Sequence, residues 1–262
     1  MYIAHISDTH FIKDNPATLK YARRIVDTIN GFEILPKFVV VTGDLVNEAN
    51  WEDYDLCFCE LNRLKAPYYV IGGNHDKASV LAKALKTYYP DHPKSEISGY
   101  LQYSVDIDDL RVIAVDFYGD RQDGYMTDTE RLDWLEDKLE ATPAGKNVVI
   151  IKHRFPLNTH LHFFAKRENP WYERFAEIVS LYKNKVKLIA CGHLHNSLMG
   201  NIGGVPIVST LSPFGLLNMD FQKAEPLVRE DRDFLAFHVH LIDDGVVTSY
   251  LVPIDMVVKD GN

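Results

Sequence analysis

Five short clusters of oxygen and nitrogen donors mark this chain: Asp8-Thr9-His10, Gly43-Asp44, Gly73-Asn74-His75-Asp76, His153 and Gly192-His193-Leu194-His195. Their mix of carboxylate, imidazole and amide oxygen suits manganese, iron or zinc better than calcium or magnesium. Two such ions held ~3.5 to 4 Å apart clamp both the attacking and the leaving oxygen of a phosphoryl displacement. The pair needs a bridging carboxylate. Asp44 is the natural candidate, because the glycine before it lets the chain turn tightly and a carboxylate has two oxygens to share. Asp8 and His10 would complete one ion with an imidazole from the last cluster, and Asn74, His153 and the other imidazole would serve the second.

Positioning such clusters requires a scaffold that brings strand ends together. Apolar runs at Tyr2–Ile6, Phe38–Val41, Tyr68–Ile71, Val148–Ile151 and Lys187–Ala190 read as buried strands, each just ahead of one cluster. Open α/β sheets bind ligands in the crevice at the carboxyl ends of their strands. Between the strands, Asn15-Pro16 opens a helix carrying Leu19, Ala22, Val26 and Ile29, and Asn50 caps one carrying Trp51, Tyr54, Phe58 and Leu61. Ala78 to Leu85 reads as helical, Thr127-x-x-Glu130 as a capping box before Leu132, Leu135 and Leu139, and Trp171 to Tyr182 as a further helix. Tyr103–Ile107 and Arg111–Asp116 form a hairpin around Asp108-Asp109, and the chain after Val205 is rich in strands. Alternating strands and helices followed by hairpins predict two packed sheets with helices outside, as one domain over residues 1–262 with a β-rich part at about 199–256. The stretch Pro213 to Asp233 is polar, has no periodicity and is long enough to be a lid or binding segment.

Composition removes several function classes. A formal charge of −9 without a Lys/Arg cluster disfavours a nucleic acid polymer as partner. The apolar runs fall short of the roughly 20 residues of a membrane helix. Three cysteines without a C-x-x-C pair indicate neither a disulfide framework nor a zinc ribbon, and the start directly into a strand predicts a cytoplasmic location. No feature selects an oligomeric state, so a homo-oligomer stays open.

In order and spacing, Asp8-x-His10, Gly43-Asp44, Gly73-Asn74-His75-Asp76, His153 and Gly192-His193-x-His195 resemble the five signature blocks of the calcineurin-like metallophosphoesterases. They look most like the bacterial branch of cyclic-nucleotide phosphodiesterases and glycerophosphodiesterases. The resemblance implies an α/β (α+β) fold: a four-layer αββα sandwich of two mixed β-sheets flanked by helices. It also implies Asp8, His10, Asp44 and His195 on one divalent ion (Mn2+, Fe2+/Fe3+ or Zn2+) and Asp44, Asn74, His153 and His193 on the other. His75 matches the family's non-ligand histidine, which stabilises the transition state or protonates the leaving oxygen. One block departs: the branch has His-His-Pro-Pro where this chain has His153-Arg154-Phe155-Pro156.

The expected activity is hydrolysis of a small phosphodiester, a cyclic nucleotide or glycerophosphodiester, by in-line attack of metal-bound hydroxide. Asp44 and His75 are the catalytic pair, and Asn74, His75, His195 and Arg154 are the expected substrate contacts. Rival readings are a phosphomonoesterase or pyrophosphohydrolase at the same site, a nuclease, and a non-catalytic scaffold, which would be expected to lack some ligands. Other histidines are read more plainly. His5 is a hydrogen-bonded core residue, His238 and His240 form a solvated strand face, and His160 and His162 are exposed loop residues near the substrate pocket. Trp51, Trp134 and Trp171 fall at apolar helical positions and are read as core.

Overall fold

A computed structural model describes residues 1–121, 129–159, 171–217, 228–229 and 234–254. Each sequence run above becomes an element close to its expected bounds. In chain order these are β1 (Tyr2–Ile6), α1 (Pro16–Asn30), β2 (Phe38–Val41), α2 (Trp51–Leu61), β3 (Tyr68–Val70), α3 (Ala78–Tyr88), β4 (Tyr103–Ile107) and β5 (Leu110–Ala114). There follow α4 (Glu130–Glu140), β6 (Asn147–Ile151), α5 (Trp171–Leu181), β7 (Val186–Cys191), β8 (Met199–Ile202) and β9 (Val205–Ser209). The last strands are β10 (Leu216–Leu217), β11 (Val228–Arg229), β12 (Ala236–Asp243) and β13 (Val246–Pro253). The caps behave as their chemistry dictates. Asn15 accepts from the Ala17 N–H with Pro16 in the first turn, and Asn50 accepts from the Asp53 N–H. Thr127 of the expected capping box lies outside the described residues; α4 starts after Thr129, whose side chain makes no cap hydrogen bond.

The strands form two mixed sheets. One has the order β13-β12-β1-β2-β3, with β1, β2 and β3 parallel and β12 antiparallel to both β1 and β13. The other has the order β4-β5-β6-β7-β9-β8, parallel from β5 to β9 with an antiparallel strand at each edge. Period-two alternation sorts the second sheet's side chains between two cores. Val149, Ile151, Leu188 and Ala190 join the core shared with the first sheet and helices α1 to α3. Val148, Ile150 and Ile189 face the opposite way and pack with Leu132 and Leu135 of α4 and Ile178 of α5. Helices, sheet, sheet and helices are therefore the four layers.

Three readings of the sequence need revision here. His238 and His240 are fully buried, not solvated, because their shared face packs against other side chains: His240 meets His5, and His238 meets Thr210 and Ser197. The stretch taken as unstructured from Pro213 to Asp233 contains β10 and β11, which pair antiparallel as a two-residue ribbon. Trp51 and Trp134 pack at the margins of the cores, half-buried, and the Trp171 side chain, with His160 and His162, lies outside the described residues.

Candidate metal centre

All the clusters reach one edge of the sandwich. β1, β2 and β3 of the first sheet deliver Asp8, His10, Asp44 and Asn74, while β6 and β7 of the second deliver His153, His193 and His195. Sharp turns just past the strand ends aim these side chains back into the crevice between the sheets. Seven described non-glycine residues have positive φ; Asp108 and Asp244 are hairpin-turn residues, and the other five are Asp8 (52°), His10 (40°), Asp44 (48°), His193 (72°) and His195 (55°). Such conformations cost roughly 1 kcal/mol or more each and persist where surrounding structure over-determines them. Backbone strain is thus concentrated on the expected ligands. Two glycines make the close approaches possible: a Cβ on Gly43 (φ 99°) would meet His153 Nδ1 at 2.5 Å, and one on Gly192 would meet Asp8 Oδ2 at 2.5 Å.

Hydrogen bonds fix the tautomers. His153 Nδ1 donates to the Thr42 carbonyl at 2.7 Å, and His195 Nδ1 donates to the Gly215 carbonyl at 2.8 Å. The ring protons are therefore committed outward, leaving each Nε2 as the nitrogen that faces the crevice. His153 Nε2 lies 3.2 Å from Asp44 Oδ2 and 3.2 Å from Asn74 Oδ1, and His195 Nε2 lies 3.5 Å from Asp8 Oδ1 and 3.1 Å from His10 Nε2. In the neutral imidazoles these are lone pairs pointed at lone pairs, which only a shared proton or a cation can reconcile. The pKa pattern expresses the same demand. Burial works against a charged His153, yet Asp44 and Asp8 beside it push its pKa up to about 9. Burial would raise Asp44, but the adjoining His153, with His10 and His75, holds it well below the usual carboxylate range. Burial lifts Asp8 despite the pull of His195 and His153, and burial lowers His10 to about 3. His193 is lowered by burial and by the neighbouring His153 charge.

The donors fall into three overlapping groups. Asp8, His10 and His195 offer ligand atoms that all lie within 4.8 Å of one another, and so do Asp44, His153 and His193; His10, Asp44 and His75 form a third group that links these two sets. Asp44 Oδ2 lies between the sets, 3.6 Å from His10 Nε2 and 3.2 Å from His153 Nε2. Buried, negatively charged and rich in imidazole, the arrangement fits a pair of divalent ions. His10 Nδ1 is also buried with no hydrogen-bond partner among the described residues. Next to these atoms stands His75, whose Nδ1 donates to the Asn47 carbonyl at 2.8 Å and whose ring meets that of His10 edge-on at 4.7 Å.

Some contributors had no signal in the sequence argument. Asp76 was quoted with its cluster but given no task, and it ties two ligand loops together. Its carboxylate accepts from the Leu45 N–H (3.2 Å), the Gly73 N–H (2.9 Å) and the Tyr54 hydroxyl (2.8 Å), and burial with the nearby Asp44 charge pushes its pKa up to about 7. Lys152 is fully buried with its ammonium 4.3 Å from the Phe117 ring centroid, and it donates to the Arg154 carbonyl, bracing the turn after His153. Arg154 is half-buried, and its positive charge adds to the causes that depress His193, after burial and the His153 charge.

The calcineurin-like phosphoesterase family model matches residues 1–197. The chain is 28% identical over 234 residues to a probable glycerophosphodiester phosphodiesterase, GpdQ, of Arcobacter nitrofigilis, covering 85% of this chain and 82% of that protein. It is also 28% identical over 211 residues to a probable cyclic nucleotide phosphodiesterase of Rhodopseudomonas palustris, covering 77% of this chain and 74% of that one. In fold it is similar to purple acid phosphatase from yellow lupin (Lupinus luteus) seeds, with a TM-score of 0.72 at 15% identity over 98% of this chain and 52% of that one. With the family match spanning every donor cluster and the donors gathered in one crevice, the chain belongs to the calcineurin-like phosphoesterase family and is a metal-dependent phosphoric ester hydrolase.

Proposed function

We propose that this protein hydrolyses a small phosphodiester, a cyclic nucleotide or a glycerophosphodiester, at two divalent ions that share Asp44. The observation carrying this reading is the position of Asp44 Oδ2 between the two donor sets. Asp8, His10, Asp44 and His195 would hold one ion, and Asp44, Asn74, His153 and His193 the other, with manganese, iron or zinc suited to the donors. When bound, such ions supply a water of lowered pKa and positive charge over the phosphoryl oxygens.

The chain's own groups do the rest. Asp8 is held by the His193 N–H at 3.1 and 3.0 Å, and Asp44 Oδ1 accepts the His75 N–H at 2.8 Å, so both carboxylates are oriented before a substrate arrives. His75 keeps its Nδ1 proton on the Asn47 carbonyl, so it would give a proton to the leaving oxygen from Nε2 as an imidazolium that has first taken up a second proton. Asn74, His195 and Arg154 complete the substrate contacts, the guanidinium being suited to grip a non-bridging phosphate oxygen. The chain is read as one catalytic domain, 1–262, whose β-rich part at about 199–256 supplies β12 and β13 to the first sheet and β8 and β9 to the second. The names of the two bacterial relatives support a phosphodiester substrate. A hydrolysis panel with manganese tests the reading by comparing cyclic nucleotides, glycerophosphodiesters, dinucleotides and monoesters. Diesters turned over faster than monoesters are expected. Turnover of monoesters alone would assign a phosphomonoesterase instead.

A further inference from the structure

A second group of histidines lies outside the donor groups. His5 of β1 pairs in register with His238 of β12, His240 lies two residues on, and all three are fully buried. A line of hydrogen bonds runs from this group to the metal centre. Ser249 Oγ pairs with His240 Nδ1 at 2.8 Å, His240 Nε2 with His5 Nδ1 at 3.1 Å, and His5 Nε2 with Thr42 Oγ1 at 2.9 Å. The Thr42 carbonyl then accepts the His153 Nδ1 proton at 2.7 Å. With neutral rings every side-chain bond in the line points the same way, each ring donating once and accepting once. Thr42 is the joint between side chain and backbone. It precedes Gly43 (φ 99°), whose freedom would let the peptide between them tilt. The chain is held on both sides of that peptide: the Thr42 N–H donates to the Ile6 carbonyl at 3.0 Å, and the Gly43 carbonyl accepts the Asp8 N–H at 2.9 Å.

Burying an imidazole is unfavourable unless its bonds are made. An apolar residue at position 5 would avoid that cost, but it would leave the fully buried Thr42 hydroxyl without the ring nitrogen it now meets. We propose that His5 is a positioning residue for the metal centre: through the Thr42 hydroxyl it holds the carbonyl that orients His153, so metal affinity depends on an imidazole that is itself no ligand. The inference rests on the reading of His153 as a ligand. It also crosses the sandwich, because His5 and Thr42 belong to the first sheet's strands and turns while His153 follows β6 of the second. Groups that hydrogen-bond a ligating histidine set metal affinity by about 10- to 100-fold. His5 acts one bond further out, so an effect of about 10-fold is expected.

Manganese binding tests this independently of turnover. Calorimetric titration of the full chain would compare the parent protein with Thr42→Val, which removes the hydroxyl and keeps the carbonyl, and His5→Phe, which keeps a ring and removes both of its bonds. His5→Gln, whose amide can stand where Nε2 stood, is the conservative variant. Each is also combined with His153→Ala, so that an effect exerted through His153 is separated from a general one. Thr42→Val and His5→Phe are expected to weaken manganese binding about 10-fold when His153 is present and to change nothing further in the His153→Ala background. His5→Gln should recover most of the loss. Unchanged affinity in Thr42→Val overturns the proposal, and this variant decides the matter if His5→Phe does not fold. A weakening of the same size in the His153→Ala background also overturns it, leaving His5 as a structural core residue. Full manganese binding by His153→Ala alone would remove His153 from the ligands, and the inference would fall with the reading on which it rests.

Discussion

At the scale of single residues, His75 differs from its neighbours in what its backbone and side chain each do. Its N–H binds Asp44 Oδ1 and its Nδ1 binds the Asn47 carbonyl, while its ring shares a donor group with His10 and Asp44, between the Asp8 and His193 sets. A residue fixed at two points with one nitrogen left toward the crevice is suited to proton transfer. His75→Ala should therefore lower kcat about 10² to 10⁴-fold for a substrate with an alkoxide leaving group. A nitrophenolate departs without a proton, so bis(p-nitrophenyl) phosphate should lose far less. Equal losses with both substrates would assign His75 a structural or purely electrostatic role.

Elements account for what the sequence revealed and what it hid. The donor clusters were legible because each follows an apolar run whose length and alternation announce a strand, and strand ends converge in α/β sheets. The left-handed turns at Asp8, His10, Asp44, His193 and His195 were not legible, since Asp and His, although enriched among non-glycine residues with positive φ, adopt it too rarely to mark a turn by themselves. The pairing of His195 with the Gly215 carbonyl joins residues whose partnership follows no local spacing. The faces of β12 were misread for a related reason. Alternation says that His238 and His240 share a face, but only the register with β1, which sets His5 opposite His238, shows that this face is buried.

The buried histidine group has a consequence for stability. His5 Nδ1 bonds His240 Nε2 at 3.1 Å, His5 Nε2 bonds Thr42 Oγ1 at 2.9 Å, and His238 Nδ1 bonds Thr210 Oγ1 at 3.1 Å. Burial lowers His5 well below its ordinary value, His238 to about 4 and His240 to about 3. The unfolded chain takes up these protons near pH ~6.5, while the folded chain refuses them until far lower pH. Stability contributed by the neutral rings is thus complete above about pH 6.5 and is lost as pH falls toward 4 and 3. The urea midpoint should drop across this window, and His240→Gln should flatten the drop. An unchanged slope in that variant would mean that His240 charges at its ordinary pH in the folded protein.

For the whole molecule, the decisive feature is that the centre straddles both sheets. Asp44 arrives from β2 and His153 from β6, so the carboxylate proposed to bridge the ions also ties the two sheets across their shared core. Among the described residues no helix is long and apolar enough to cross a membrane, and the catalytic edge is built from strand ends and turns alone. In the proposed centre Asp44 joins two ions rather than serving one. Electron paramagnetic resonance of the manganese-loaded chain measures this directly. The parent protein should bind two ions and give a spin-coupled spectrum, and Asp44→Ala should abolish the coupling. A single uncoupled ion in the parent, or a coupled spectrum that survives in Asp44→Ala, would contradict the shared centre.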